Sequence, residues 1–330
     1  MKFKSLLVMA LVLAFAAPVL AEPIVIKFSH VVAVDTPKGQ AAEYFKKLAE
    51  ERTKGAVKIE VYPNSQLYKD KEEMEALQLG AVHMLAPSLA KFAPLGVKEF
   101  ELFDLPYIFD SYADLHAITT GPIGKKLLNK LEVKGVLGLA YWDNGFKVMS
   151  ANTPLKQPSD FKGLKMRIQS SKILDAQMRA LGAIPQVMAF SEVYQALQTG
   201  VVDGTENPPS NLYTQKMYEV QKHVTVSNHG YLGYAVIVNK KFWDGLPADI
   251  RTALDSAMVD ATKFANDIAK QKNDEDMASV KASGKSQVYT LSAAEKAEWK
   301  KVLTPVHAQM ADRIGADLIA EVQKATGFNK

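Results

Sequence analysis

The sequence predicts an α/β protein of two lobes, each a mixed, mostly parallel sheet flanked by helices, with one long helix crossing both. Three observations carry that prediction. Strand-like and helix-like segments alternate from Ile24 onward, the same alternation starts again after Gly135, and a helical stretch of unusual length begins at Ala248. Strands alternating with helices build parallel sheets.

In the first stretch, residues 24–29 read as a strand, and Asp35-Thr36-Pro37 offers an N-cap followed by a proline at the first helical position. The helix runs to about Thr53, Gly55 breaks it, and 57–61 alternates as a half-buried strand. Asp70, with Glu73 three residues on, is expected to cap the next helix, which stops at Gly80 before a strand at 81–86. In the second stretch, 135–142 and 146–150 are strand-like, 165–169 is a short strand and 171–181 a helix. A faint repeat relates 75–82 to 195–202, one helix, glycine stop and strand in each lobe.

From 248 to about 282 an apolar stripe runs through Ile250, Leu254, Met258, Ala261, Phe264 and Ile268. A helix of ~35 residues is far above the usual ~11 to 12, so it is expected to pass from one lobe to the other. The segment 292–326 reads as helix packed on the outside. The expected division is 22–144 plus about 233–272 for the first lobe, and 145–232 plus about 273–330 for the second.

Lys2 and Lys4, the apolar run 6–15 and small residues up to Ala21 have the pattern of a secretory signal peptide occupying 1–21. Its apolar core of about ten residues is too short for a transmembrane helix, which needs ~20. The mature chain, starting near Glu22, is therefore expected to be a soluble, exported monomer without membrane insertion. Its length suits two domains. There is no cysteine, which excludes a lipid-anchored N-terminus, disulfides, thiolate metal sites and a cysteine nucleophile. The net charge of +4 falls to about +2 without Lys2 and Lys4, and no run of like charge remains for nucleic acid.

Gly-x-Ser-x-Gly, His-Glu-x-x-His and phosphate-loop signatures are missing, and the six histidines show no metal-ligand spacing. No cofactor or metal is expected. Among 40 basic residues only five are arginine, so each arginine is informative. Leu164-Lys165-Met166-Arg167-Ile168 alternates strictly, which sends Leu164, Met166 and Ile168 to the core and Arg167 to the opposite face. A guanidinium there is either half of a surface salt bridge or a planar fork for a carboxylate. Lys147, just after the turn at 142–146, is either solvated or at the lobe junction. Phe190 precedes a short helix as a staple or as a wall beside an anion. Asn207, ahead of Pro208 and Pro209, is either a turn residue or an amide at a strand's carboxyl end, where open α/β sheets bind ligands.

The run Ala189-Phe190-Ser191-Glu192-Val193-Tyr194-Gln195-Ala196-Leu197-Gln198-Thr199-Gly200-Val201-Val202-Asp203-Gly204-Thr205-Glu206-Asn207-Pro208 closely resembles the signature of the periplasmic binding proteins of TRAP (tripartite ATP-independent periplasmic) transporters. The likeness covers nearly the whole mature chain. With Tyr62-Pro63-Asn64-Ser65-Gln66-Leu67, Asp104-Leu105-Pro106-Tyr107 and 141–147, it looks most like the dicarboxylate-binding DctP branch.

That resemblance implies the two-lobed periplasmic-binding-protein fold, a periplasmic location, a small carboxylate ligand, and membrane permease subunits as partners. It implies that Arg167 pairs with a ligand carboxylate, Asn207 hydrogen-bonds the same group, and Phe190 walls it. Lys147 matches a second cationic position, Lys71 and His229 match cleft positions, and Tyr234 matches one across a one-residue gap. Ser88 stands where sialic-acid-binding members carry an acid, a departure that argues against sialic acid. Two cations, Arg167 with Lys147 or Lys71, suit two carboxylates of a C4-dicarboxylate such as succinate, malate or fumarate. Rival ligands are 2-oxo acids, lactate-like acids and aromatic acids. A periplasmic enzyme is the alternative of another class, although no nucleophile or base is evident.

Overall fold

Eleven strands form two sheets in the computed structural model, which describes residues 22–328. The signal peptide read at 1–21 lies outside the described residues. In chain order the strands are β1 (Ile24–Ser29), β2 (Val57–Tyr62), β3 (Met84–Leu85), β4 (Val136–Phe146), β5 (Val148–Ala151) and β6 (Lys165–Ile168). They continue with β7 (Ile184–Val187), β8 (Gly204–Asn207), β9 (His223–Val226), β10 (Tyr231–Asn239) and β11 (Gln287–Thr290).

The first sheet has the order β2-β1-β3-β10-β4, with β1 parallel to β2 and β3 and with β10 antiparallel to β3 and β4. The second has the order β11-β9-β5-β8-β6-β7; β6 runs parallel to β7 and β8, and β5 antiparallel to β8 and β9. Both sheets are mixed and flanked by helices, as the alternation predicted.

Local chemistry accounts for the boundaries. Thr36 Oγ1 accepts from the Gly39 N–H at 3.1 Å and Pro37 opens the helix Pro37–Arg52. The repeated joint recurs in structure: helix Glu72–Gln78, Gly80 at φ 77° and then β3; helix Val193–Gln198, Gly200 at φ 72° and then β8. Each left-handed glycine ends its helix and turns the chain into a strand that pairs in parallel with an earlier one.

Two crossovers join the sheets. Lys147 alone separates β4 from β5, and 227–230 separates β9 from β10; the Lys147 N–H donates to Gly230 O at 2.8 Å, tying one crossover to the other. The third connection is the 36-residue helix Ala248–Ser283. Its first half buries Leu254, Ala257 and Ala261 with Phe45 and Trp142 of the first lobe, while Met277 and Val280 pack with Val193 and Leu197 of the second. At the junction, Asn273 donates to Asn144 O and accepts from the Ser210 N–H. A Cβ at Gly145 would lie 2.8 Å from the Asn273 amide nitrogen, so a larger residue would push that side chain off its bond to Asn144 O.

The chain end differs from the expectation. Breaks before Pro305, at Met310 and at Gly315 divide 292–326 into the helices Ala293–Leu303, Pro305–Gln309, Ala311–Ile314 and Ala316–Thr326. Trp299 and Leu303 bury in the second lobe, but Val306, Ile314, Ile319 and Val322 bury in a cluster with Leu115, Ile118 and Leu127 of the first. The apolar face of these last helices draws them back across the molecule, so 305–326 does not belong to the second lobe alone.

Candidate functional site

The carboxyl ends of the two sheets face each other across a narrow space between the lobes. Ser88 and Tyr234 line it from the first lobe, and Gln169, Phe190 and Asn207 from the second. The lobes touch around it: Gln169 Nε2 donates to Ser88 Oγ at 2.7 Å, and the Phe190 N–H donates to Asp70. Outside, Lys69 and Glu192 pair at 2.8 Å across the mouth.

Asp70 was expected as a helix cap. The residue at the cap position is Lys71, which makes no capping bond, and the Asp70 carboxylate instead turns into the cleft, held by Lys91 and reached by Phe190 from the other lobe. Burial by itself would raise that carboxyl, but the Lys91 and Arg167 charges outweigh it and hold it at about 2. An ionised Asp70 is therefore a charged clasp between lobes.

Four cationic side chains are buried among the described residues: Lys38, Lys91, Lys147 and Arg167. A buried charge needs a partner, and the four divide evenly. Lys91 is paired with both Asp70 and Glu73. Lys147 is paired with Glu206 at 2.7 Å. Arg167 and Lys38 make no ion pair among the described residues.

Arg167 lies on β6 as the alternation predicted, with Met166 and Ile168 fully buried behind it. Its Nε and Nη2 donate to Met188 O at 3.1 and 2.8 Å, and its guanidinium carbon lies 5.8 Å from the centre of the Phe190 ring. Nη1 makes no hydrogen bond among the described residues. Arg167 lines the groove that adjoins this space, and Lys71 is exposed on that groove's outer wall. Asn207 ends β8, its Nδ2 within 3.3 Å of Thr205 Oγ1. The Tyr234 hydroxyl accepts from Asn144 Nδ2 at 2.7 Å.

Lys38 is the cation that sequence reasoning missed. It occupies the first turn of the helix Pro37–Arg52, is 1% exposed, donates to Ala86 O at 2.9 Å, and lies 3.8 Å from the centre of the Tyr234 ring. One signal was available: that first turn contains no acid, and a cation at a helix N-terminus opposes the macrodipole.

Two expected site residues are corrected by the geometry. Lys147 and His229 lie on the two crossovers, and both point at Glu206, with His229 Nε2 2.8 Å from Glu206 Oε2. Gln177 Nε2 donates to the same carboxylate at 2.8 Å. Burial alone would raise Glu206, but Lys147 and His229 overcome it and keep it well below the usual carboxylate range. Lys147 is engaged by this pair in the ligand-free structure and is not among the residues that line the space between the lobes. His229 likewise fastens the hinge.

Two lobes joined by three connecting segments, with Lys38 lining the narrow space between them and Arg167 the groove beside it, have the architecture of a protein that binds a small solute between its lobes. The chain belongs to the bacterial extracellular solute-binding protein family 7, DctP, whose model matches residues 28–313. It is 70% identical over 317 residues to the C4-dicarboxylate-binding periplasmic protein DctP of Rhodobacter capsulatus, covering 96% of this chain and 95% of that one. Among solved structures, it matches a TRAP periplasmic solute-binding protein from Shewanella oneidensis with bound succinate at TM-score 0.90 and 47% identity, covering 93% of this chain and all of that one. It also matches one from Pseudomonas aeruginosa with bound L-malate at TM-score 0.85 and 45% identity, over 87% of this chain and all of the other.

Proposed function

We propose that this chain is the extracytoplasmic binding subunit of a TRAP transporter, which captures a C4-dicarboxylate between its lobes and delivers it to membrane permease subunits. The observation that carries this reading is the charge count of the cleft. Of four buried cations, two are neutralised within the protein, and Arg167 and Lys38 are left to meet the two charges of a dicarboxylate. Arg167 and Asn207 hold one carboxylate beside Phe190, and Lys38 holds the other with Ser88 and Tyr234 alongside.

Succinate and L-malate in related structures support the same ligand class. Residues 1–21 serve as the cleavable export signal, and no helix among the described residues is long and apolar enough to cross a membrane. The protein captures and releases its ligand unchanged. A thermal-shift screen of the mature chain against dicarboxylates, monocarboxylates and sugar acids tests this, with each hit recovered and checked for chemical change. The reading requires the largest shifts from four-carbon dicarboxylates, recovered intact; a monocarboxylate or sugar acid at the top of the ranking would displace it.

A further inference from the structure

The groove beside Arg167 differs in chemistry from the narrow space it adjoins. Its volume of about 410 Å³ falls within the ~300 to 1,000 Å³ of ligand pockets. Both lobes supply its apolar walls, Met74 and Leu95 from the first, Val187 and Met188 from the second. Val187, at the end of the edge strand β7, is 52% exposed, so an apolar side chain faces the groove without cover. Asp70, Lys91 and Gln169 line the groove and the narrow space alike and so form the partition between them. All three are engaged: Asp70 with Lys91, Gln169 with Ser88.

Arg167 stands where both compartments can reach it. It lines the groove, and its guanidinium carbon lies 5.8 Å from the centre of the Phe190 ring, which lines the narrow space. At the groove's outer end Lys71 and Glu75 are exposed and opposite in charge, so that end offers no net second charge. An apolar wall that ends in one cation without an ion pair matches an acid with a single carboxylate and an apolar chain.

We propose that the groove is a second subsite, in which a straight-chain monocarboxylate longer than four carbons lies with its carboxylate on Arg167 and its chain against Met74, Leu95 and Val187. This rests on the reading of Arg167 as the carboxylate anchor. The long acid and a C4-dicarboxylate claim the same guanidinium, so they exclude each other. Each methylene fully removed from water strengthens binding about fourfold. The groove is open to solvent at Val187, which leaves about two- to fourfold for each added carbon.

The test is isothermal titration of the mature protein with butyrate, pentanoate and hexanoate, alone and with saturating succinate. Hexanoate should bind roughly 4- to 16-fold tighter than butyrate, and succinate should abolish its heat. Val187→Gln, at an exposed position that tolerates a polar side chain, should weaken hexanoate about threefold or more relative to butyrate and leave succinate affinity unchanged. No heat from hexanoate, or affinity that does not rise with chain length, overturns the subsite. So does a rise that persists in full with succinate bound or in Val187→Gln. Succinate failing to bind while the chain-length series holds overturns the dicarboxylate reading and upholds the subsite.

Discussion

The carboxylate of Asp70 on the first lobe accepts the backbone N–H of Phe190 on the second, while Lys91 holds it from its own side. A charge-assisted bond of this kind contributes about 1.5 to 3 kcal/mol, and it exists only when the lobes are closed. Asp70→Ala should therefore weaken ligand binding by roughly 10- to 150-fold without touching Arg167 or Asn207. Calorimetry gives the affinity, and solution scattering of the ligand-saturated variant should show a larger radius of gyration than wild type. Unchanged affinity would mean that the clasp does not stabilise closure.

The same carboxylate predicts an acid response. Its folded value of about 2 lies below the unfolded value of about 3.9. Such a depressed acid contributes stability that is complete above the unfolded value and is lost as pH falls through the folded one. The contribution is about 2 to 3 kcal/mol. Urea unfolding at pH 5, 4, 3 and 2 should show wild type losing more stability than Asp70→Asn across this window. Parallel curves for the two proteins would contradict the assignment.

Lys147 and Glu206 make a different prediction from a ligand anchor. Removing one partner of a buried ion pair leaves the other charge uncompensated and costs about 3 to 5 kcal/mol. Lys147→Met should lower unfolding stability by that order, while the ratio of succinate to butyrate affinity stays at the wild-type value. A selective loss of succinate binding with unchanged stability would return Lys147 to the ligand.

Arg167 is fixed by two hydrogen bonds to Met188 O and leaves Nη1 for a ligand. Arg167→Ala should cost about 2 to 5 kcal/mol of binding, or roughly 30- to 5,000-fold. Lysine should not rescue it, because an ammonium cannot bond Met188 O and grip a planar carboxylate in the same fork. Less than a fivefold loss by calorimetry would remove Arg167 from the site.

What the sequence revealed followed from local periodicity and local chemistry. Alternation around Arg167 set its face, Thr36 and Pro37 set a helix start, and the apolar stripe after Ala248 set the long helix. What it hid depends on partners distant in the chain. Nothing near Lys147 or His229 reveals that Glu206 claims them both. Asp70 has the spacing of a helix cap, and only the approach of Phe190 from the other lobe gives it another use. Lys38 carried a faint signal in its position against the helix dipole, but the groups that surround it, Ala86 O and the Tyr234 ring, lie far off in the chain.

The most direct test of the account is an isothermal titration of the mature protein with succinate and, separately, with butyrate, which has the same carbon count but one carboxylate. If Arg167 and Lys38 each receive a carboxylate, succinate should bind one per chain, with micromolar binding corresponding to about 8 kcal/mol. Butyrate, lacking one charge-assisted contact, should bind weaker by roughly 10- to 150-fold. Butyrate binding as tightly as succinate, or succinate not binding at all, would contradict the two-anchor cleft.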